Sequence, residues 1–314
     1  MKKISICTPA YKRPENLQRL LSSIAAQTFK DYEIIITDDS PDDSVRKMVD
    51  QFSELPISYF KNENSLGTPA NWNRAISLAK GEWIKLMHDD DWFKNENSLQ
   101  QFAERTSTGK AFIFSGFVTV FESGKEKESH FPSLWKKMIV NNPLTLLARN
   151  VIGTPSVTLI HRSFAELYDE RMKWRVDIDY YIQILKKEKA FELIEEPLVN
   201  VGMSEGQVTN YTINRPEVEL PEGLLLLEKH GVSSLKHILV YDAWWRILRN
   251  TGTRTEEQLN QFTQNIGWPV AIVKMVSDQS KISQRLLKYG IISKMAMFFS
   301  YIKNKKSLQD LDTL

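Results

Sequence analysis

Between residues 4 and 87 the chain alternates short apolar runs with amphipathic stretches. Ile4 to Thr8 is short and apolar, and from about Pro14 to Ala26 the residues Leu17, Leu20, Leu21 and Ile24 recur at helical spacing. Ile34-Ile35-Ile36 is β-branched throughout, as expected of a strand covered on both faces. Asp42 to Phe52 predicts a helix and Ile57 to Phe60 a third strand. Thr68 to Ala79 predicts a third helix, with Thr68 as N-cap and Pro69 in the first position, and Trp83 to Met87 a fourth strand. Strands alternating with helices of this length imply right-handed crossovers and a mainly parallel sheet, so an α/β fold. In such sheets ligands sit beyond the carboxyl ends of the strands.

The pattern loosens afterwards. Phe112 to Phe121, Val157 to Ile160 and Glu192 to Val201 predict strands, and Leu144 to Ala148 a short helix. Trp174-Arg175-Val176-Asp177 opens a helix that runs to about Lys187, and from Pro216 the pattern is mostly helical.

The chemistry collects at the predicted strand ends. Thr8-Pro9-Ala10-Tyr11 follows the first strand, Asp38-Asp39 the second, and Asp89-Asp90-Asp91 the fourth. Three adjacent carboxylates cost free energy unless a cation sits among them, and hard oxygen ligands suit Mg²⁺ or Mn²⁺. Helix capping explains Asp42 and Asp43 but not the earlier pair. A carboxylate there can accept the imide N–H of a uracil or thymine, and Tyr11 can stack on that base. Asn71 and Asn73 stand against propensity in the third helix, where a polar cluster can contact a nucleotide or diphosphate. Asp177 and Asp179 sit at a helix start among aromatic residues, which would raise a carboxylate's pKa as a general base needs.

Composition narrows the field. The 314 residues are 42% hydrophobic and 25% charged, enough for a full core, and a net charge of +2 gives no case for nucleic-acid binding. The single cysteine, Cys7, lies in an apolar run as a core filler. The first residues pass straight into a strand without a signal peptide, and the expectation is a cytoplasmic protein. No Gly-rich phosphate loop follows the first strand.

Taken together, Ser5-Ile6-Cys7-Thr8-Pro9-Ala10-Tyr11, Ile36-Thr37-Asp38-Asp39-Ser40, Gly81-Glu82-Trp83-Ile84 running into Asp89-Asp90-Asp91, and Asp177-Ile178-Asp179 resemble the family 2 glycosyltransferases with the GT-A fold. The resemblance covers about the first two-thirds of the chain. It implies a Rossmann-like catalytic domain over 1–210, with a nucleotide-binding half (1–110) and an acceptor-binding half (111–210), and a helical extension over 211–314. Carried over by position, Thr8, Pro9, Ala10 and Tyr11 line the nucleotide pocket, and Asp38 or Asp39 reads the base. Asn71, Asn73 and Asp89 belong to the same nucleotide-binding set. Asp90, with Asp91, ligates Mn²⁺ or Mg²⁺, Asp177 is the base, and Gly153 and Trp174 contact the acceptor. The implied reaction is an inverting transfer from a nucleotide-diphosphate sugar, UDP-linked by expectation, to a glycan or lipid-linked glycan. A sugar-phosphate nucleotidyltransferase and a catalytically silent glycan- or nucleotide-binding module are the alternatives.

The chain departs from the family pattern at several positions. Met87 stands where many relatives place a further aspartate, Trp72 where an arginine is common, and Val176 where an acidic residue is common. Met203-Ser204 stands where a histidine often precedes the segment Gly206-Gln207-Val208-Thr209. Finally, Lys281 to Lys306 is basic and amphipathic without an acidic residue, a pattern suited to the inner face of a plasma membrane or to packing on the catalytic domain.

Overall fold

The computed structural model describes residues 3–203, 211–263 and 267–309. The segment Gly206–Thr209 therefore lies outside the described residues. The chain divides into two compact units: 1–143, 151–170 and 176–207 form the first, and 144–150, 171–175 and 208–314 the second.

The first unit is built on a sheet in which four apolar runs pair in parallel. β1 (Ile4–Ala10) lies between β2 (Tyr32–Asp38) and β4 (Trp83–Leu86), and β3 (Ile57–Lys61) flanks β2. β1 is buried along its whole length, as expected of a strand covered on both faces. The crossovers are α1 (Pro14–Ala25), α2 (Ser44–Val49) and α3 (Ala70–Leu78). α1 buries Leu17, Leu20, Leu21 and Ile24. The predicted helix to Phe52 becomes 3₁₀ from Asp50.

α3 begins later than its sequence indicates. Gly67, at φ +72°, turns the chain, its carbonyl accepts the Asn71 N–H (2.8 Å), and the Thr68–Pro69 peptide is cis. Pro69 therefore occupies the N-cap position, and the cap expected from Thr68 is not formed.

Beyond β4 the sheet becomes mixed. Its order is β3-β2-β1-β4-β8-β6-β9-β5, with β7 beside β6. Here β5 is Asp91–Phe93, β6 Phe112–Phe121, β7 Glu126–Ser129, β8 Thr158–His161 and β9 Glu192–Met203. β8 is antiparallel to β4 and β6, β9 is parallel to β6, and β5 is antiparallel to β9. β5 and β7 have no sequence forecast, nor do α4 (Ser98–Arg105) and α5 (Ser133–Asn141). The helix expected at Leu144 is a 3₁₀ segment, Pro143–Leu147. α6 (Val176–Glu188) starts two residues after Trp174, which therefore lies outside it.

The second unit is helical: α7 (Pro216–His230), α8 (Ile238–Thr251), α9 (Glu256–Gln261), α10 (Val270–Ser280), α11 (Gln284–Leu287) and α12 (Gly290–Gln309). Gly223 lets the Trp244 ring press against α7, because a Cβ there would sit 2.6 Å from that ring. The buried Glu222 carboxylate accepts the N–H groups of Lys173 (2.6 Å), Trp174 (3.1 Å) and Arg175 (2.8 Å), which anchors that loop within this unit. No described helix is long and apolar enough to cross a membrane.

Candidate active site

β2, β1 and β4 are neighbours, so their carboxyl ends lie side by side. Past β1, Lys12 adopts a left-handed conformation (φ +55°) and donates its N–H to Ser40 Oγ (2.8 Å). This bend delivers Arg13 to the acidic triplet. Its Nη2 lies 2.9 Å from Asp89 Oδ1 and its Nη1 3.0 Å from Asp90 Oδ2. Arg19, on α1, covers the Trp92 ring (3.7 Å) and donates to the Asp90 carbonyl oxygen (3.0 Å). Asp89 also accepts the Tyr11 N–H (3.4 Å). Asp91 opens β5 and accepts the Gly202 N–H (3.1 Å) and the Thr154 hydroxyl (3.4 Å).

The electrostatics record an excess of negative charge. Burial pushes Asp89 up to about 7; Arg13 opposes that rise and Asp90 adds to it. Burial, then the Asp90 charge, holds Asp91 well above the usual carboxylate range. Burial lowers His88 to about 4, so its ring is neutral at pH 7. Burial also lowers Lys85 to about 7, and its amine donates to the Ser156 carbonyl beneath the site.

His88 completes the cluster. Its Nδ1 lies 3.8 Å from Asp91 Oδ2, and its Nε2 is buried with no hydrogen-bond partner among the described residues. One donor atom each from His88, Asp90 and Asp91 lie within 4.8 Å of one another. Two carboxylates and a neutral imidazole whose nitrogen lacks a protein donor are a donor set that fits a divalent cation. Asp90 and Asp91 were legible as candidates. Arg13 and His88 were not, because Arg13 reaches the triplet only through the fold and His88 stands between strand and triplet without a pattern of its own.

The other candidates divide into those that face the site and those spent on the fold. Thr8, Pro9 and Ala10 are buried in β1, with Thr8 Oγ1 unpartnered among the described residues, whereas Tyr11 is 46% exposed, with the Lys12 ammonium 4.9 Å from the ring centroid. Asp38 is fully buried and accepts the Tyr59 hydroxyl (2.7 Å), Lys61 (3.1 Å) and the Ser40 N–H (2.8 Å). Asp39 accepts Asn62 and the N–H groups of Leu66 (3.0 Å) and Gly67 (2.8 Å), so it also shapes the loop before α3.

Asn71 and Asn73 are hydrogen-bonded within the protein. Asn71 bonds the Thr37 carbonyl (3.0 Å) and accepts from Asn62 (3.0 Å). Asn73 bonds the Tyr168 carbonyl (2.9 Å) and Glu170 (3.0 Å) and accepts the Tyr168 N–H (2.8 Å). Both amides are buried ties within the protein, which accounts for weak helix formers standing there.

Asp177 is half-buried at the start of α6 and accepts the Ile178 N–H (2.7 Å). Burial chiefly raises the Tyr168 and Tyr181 phenols, and the Asp177 charge adds to both. Tyr168 meets Trp72 edge-on (5.2 Å), and Trp72 lies against His88 (4.6 Å), so an aromatic row joins the two acidic groups. Gly153, at φ +114°, accepts the Tyr181 hydroxyl (3.1 Å), and a Cβ there would strike Phe117. Trp174 belongs to the second unit.

A mixed sheet with an acidic strand-end cluster and flanking helices defines a GT-A-type protein, and comparison with known proteins agrees. The model of Glycosyl transferase family 2 matches residues 5–167, and the chain belongs to that family. A Campylobacter jejuni relative, GalNAc(5)-diNAcBac-PP-undecaprenol beta-1,3-glucosyltransferase, is 30% identical over 48% of this chain and 49% of its own. This match thus spans about half of that relative's length. The putative colanic acid biosynthesis glycosyl transferase WcaA of Escherichia coli is 26% identical over 66% of this chain and 75% of its own.

Among solved structures, S. aureus TarS 1-349 in complex with UDP-GlcNAc superposes with a TM-score of 0.63 at 17% identity, covering 98% of this chain and 92% of that 1-349 chain. The mannosyltransferase PcManGT of Pyrobaculum calidifontis, in complex with GDP-Man and Mn²⁺, gives 0.54 at 12% identity, covering 97% and 87%. These two similarities establish the fold. The family match favours the glycosyltransferase reading over the nucleotidyltransferase one.

Proposed function

We propose that this chain is an inverting, metal-dependent glycosyltransferase. It moves a sugar from a UDP-linked donor to a hydroxyl of a lipid-linked glycan during surface polysaccharide synthesis. The observation that carries this reading is the convergence of buried carboxylates whose pKa values are raised with the unpartnered His88 nitrogen. The names of the relatives, which include glucosyltransferases acting on undecaprenol-diphosphate glycans, support the class of acceptor.

His88, Asp90 and Asp91 would hold Mn²⁺ or Mg²⁺, which offsets charge on the departing diphosphate. Arg13, already paired with Asp89 and Asp90, adds a fixed positive charge beside those phosphates. Asp89 holds Arg13 and the Tyr11 backbone in place. Tyr11 stacks on the base, and Asp39, which is 5% exposed against none for Asp38, accepts its imide N–H. Thr8, Pro9 and Ala10 form the floor of that pocket. Asp177 takes the proton from the acceptor hydroxyl as its oxygen bonds to the anomeric carbon and the carbon–diphosphate bond breaks in line. Gly153, in the first unit, serves the acceptor. The raised environment of the Tyr168 and Tyr181 phenols keeps them neutral, so Asp177 is the base of that aromatic row.

The test is Asp177→Asn. Transfer to an undecaprenol-diphosphate glycan should fall on the order of 10²–10⁴-fold with donor affinity kept. Transfer at the wild-type rate would reject Asp177, and no transfer by the wild type with any sugar nucleotide would favour the silent module.

A further inference from the structure

α12 is built inside out. Its buried side chains Ser293, Met297, Ser300, Asn304 and Leu308 recur at helical spacing, and three of them are polar. Hydrogen bonds hold that face in place. Trp245 Nε1 donates to Ser293 Oγ (3.1 Å), Ser300 Oγ donates to Asp278 (2.8 Å), and Asn304 Nδ2 donates to the same carboxylate (3.0 Å). The Tyr241 hydroxyl also bonds Ser300 (2.8 Å).

The face half a turn away is apolar and open. Ile291 is 79% exposed, Phe299 64%, Met295 56%, Ile302 51% and Phe298 47%. A water-facing helix shows the reverse arrangement, and an apolar patch of this kind marks an interaction surface. A cavity of about 550 Å³ beside it is lined by Trp245 and Ile282 and by Ile292, Met295 and Phe299 of the same face.

Charge selects the occupant. The stretch 281–306 carries Lys281, Arg285, Lys288, Lys294, Lys303, Lys305 and Lys306 and no acidic residue. Lys294 and Lys303 pair with Asp242 (2.8 Å) and Asp278 (2.6 Å), yet their side chains stay 60% and 61% exposed. Helical spacing sets Lys294 and Lys305 along one edge of the apolar face and Lys303 along the other.

We propose that this face docks on an anionic lipid bilayer. Phe298, Phe299 and Ile302 enter the acyl boundary, and the lysines meet headgroup phosphates. Pairing with a second copy would set two lysine-edged faces against each other, whereas anionic headgroups complement them. The proposal stands independently of the transferase reading.

Co-sedimentation of the full chain with phosphatidylcholine vesicles, with and without phosphatidylglycerol, tests it. Binding should require the anionic lipid, weaken in high salt, and fall at least about tenfold (about 1.4 kcal/mol) in Phe298→Ser/Phe299→Ser. Because both rings are exposed, the melting temperature should not change. Ile291→Ser/Met295→Ser, on the same face, should act alike and serves if the first variant misfolds. Absence of binding to anionic vesicles, or wild-type binding by both variants, overturns the proposal. So does a dimer, seen by light scattering, that the same substitutions dissociate.

Discussion

Asp90 is where charge and function compete. It sits between two buried carboxylates, and Arg13 offsets only part of their repulsion. Asp90→Asn removes one anion from this cluster and leaves Arg13 paired with Asp89. The cation-free variant should therefore melt at or above the wild-type temperature, while the rise in melting temperature induced by Mn²⁺ disappears. A variant melting well below wild type, with the Mn²⁺ response intact, would make Asp90 structural.

The same cluster sets a pH dependence. Asp89 titrates at about 7 and Asp91 is also raised, so below that range the folded site holds a proton that a cation must displace. His88, at about 4, is neutral throughout and adds no slope. Mn²⁺ affinity should rise roughly tenfold between pH 6 and pH 8, as expected for one group of pKa near 7. Calorimetric titrations at the two pH values check it, and a flat profile would contradict it.

At the scale of elements, the acidic loop is held by strands it does not belong to. Gly202 of β9 donates to Asp91, and a Cβ at that position would run into the Asp90 carbonyl oxygen. That obstacle is backbone, so it cannot rotate aside. Gly202→Ala should cost about 1–3 kcal/mol by overpacking and weaken Mn²⁺ binding together with activity. Urea unfolding and metal titration would show both losses, and an unchanged variant would mean that the loop is not pinned there.

Elements whose register follows from one long apolar run were legible in the sequence. β1, β2 and β3 lie within two residues of their expected ends, and α1 buries the four residues forecast. Short elements were not. β5 begins on Asp91 and is three residues long, so its first residue passes for loop, and its strand character comes from β9 rather than from its own pattern. The internal partners of Asn71 and Asn73 were illegible for a related reason. Polar residues against helix propensity signalled a special role, but the partners that define it are on β2 and at Tyr168 and Glu170.

At the scale of the whole chain, sequence order alone placed the acidic triplet, Asp38-Asp39 and Tyr11 at strand ends, because a parallel β-α alternation puts its loops on one edge. It did not show which charges neutralise which. Arg13 is 76 residues from Asp89, and no local pattern connects them. The second unit was legible as helical, but not as the holder of Trp174 through Glu222, since that tie joins residues 48 apart. The basic tail was legible as amphipathic; that its polar side would be the buried one was not.

His88, Asp90 and Asp91 would together hold a divalent cation that offsets diphosphate charge. Calorimetric titration of UDP into wild type and Asp90→Asn, each with and without Mn²⁺, addresses it most directly. The expected result is that Mn²⁺ tightens UDP binding to the wild type at least about tenfold and leaves Asp90→Asn unaffected. Equal UDP affinity in all four titrations would contradict it.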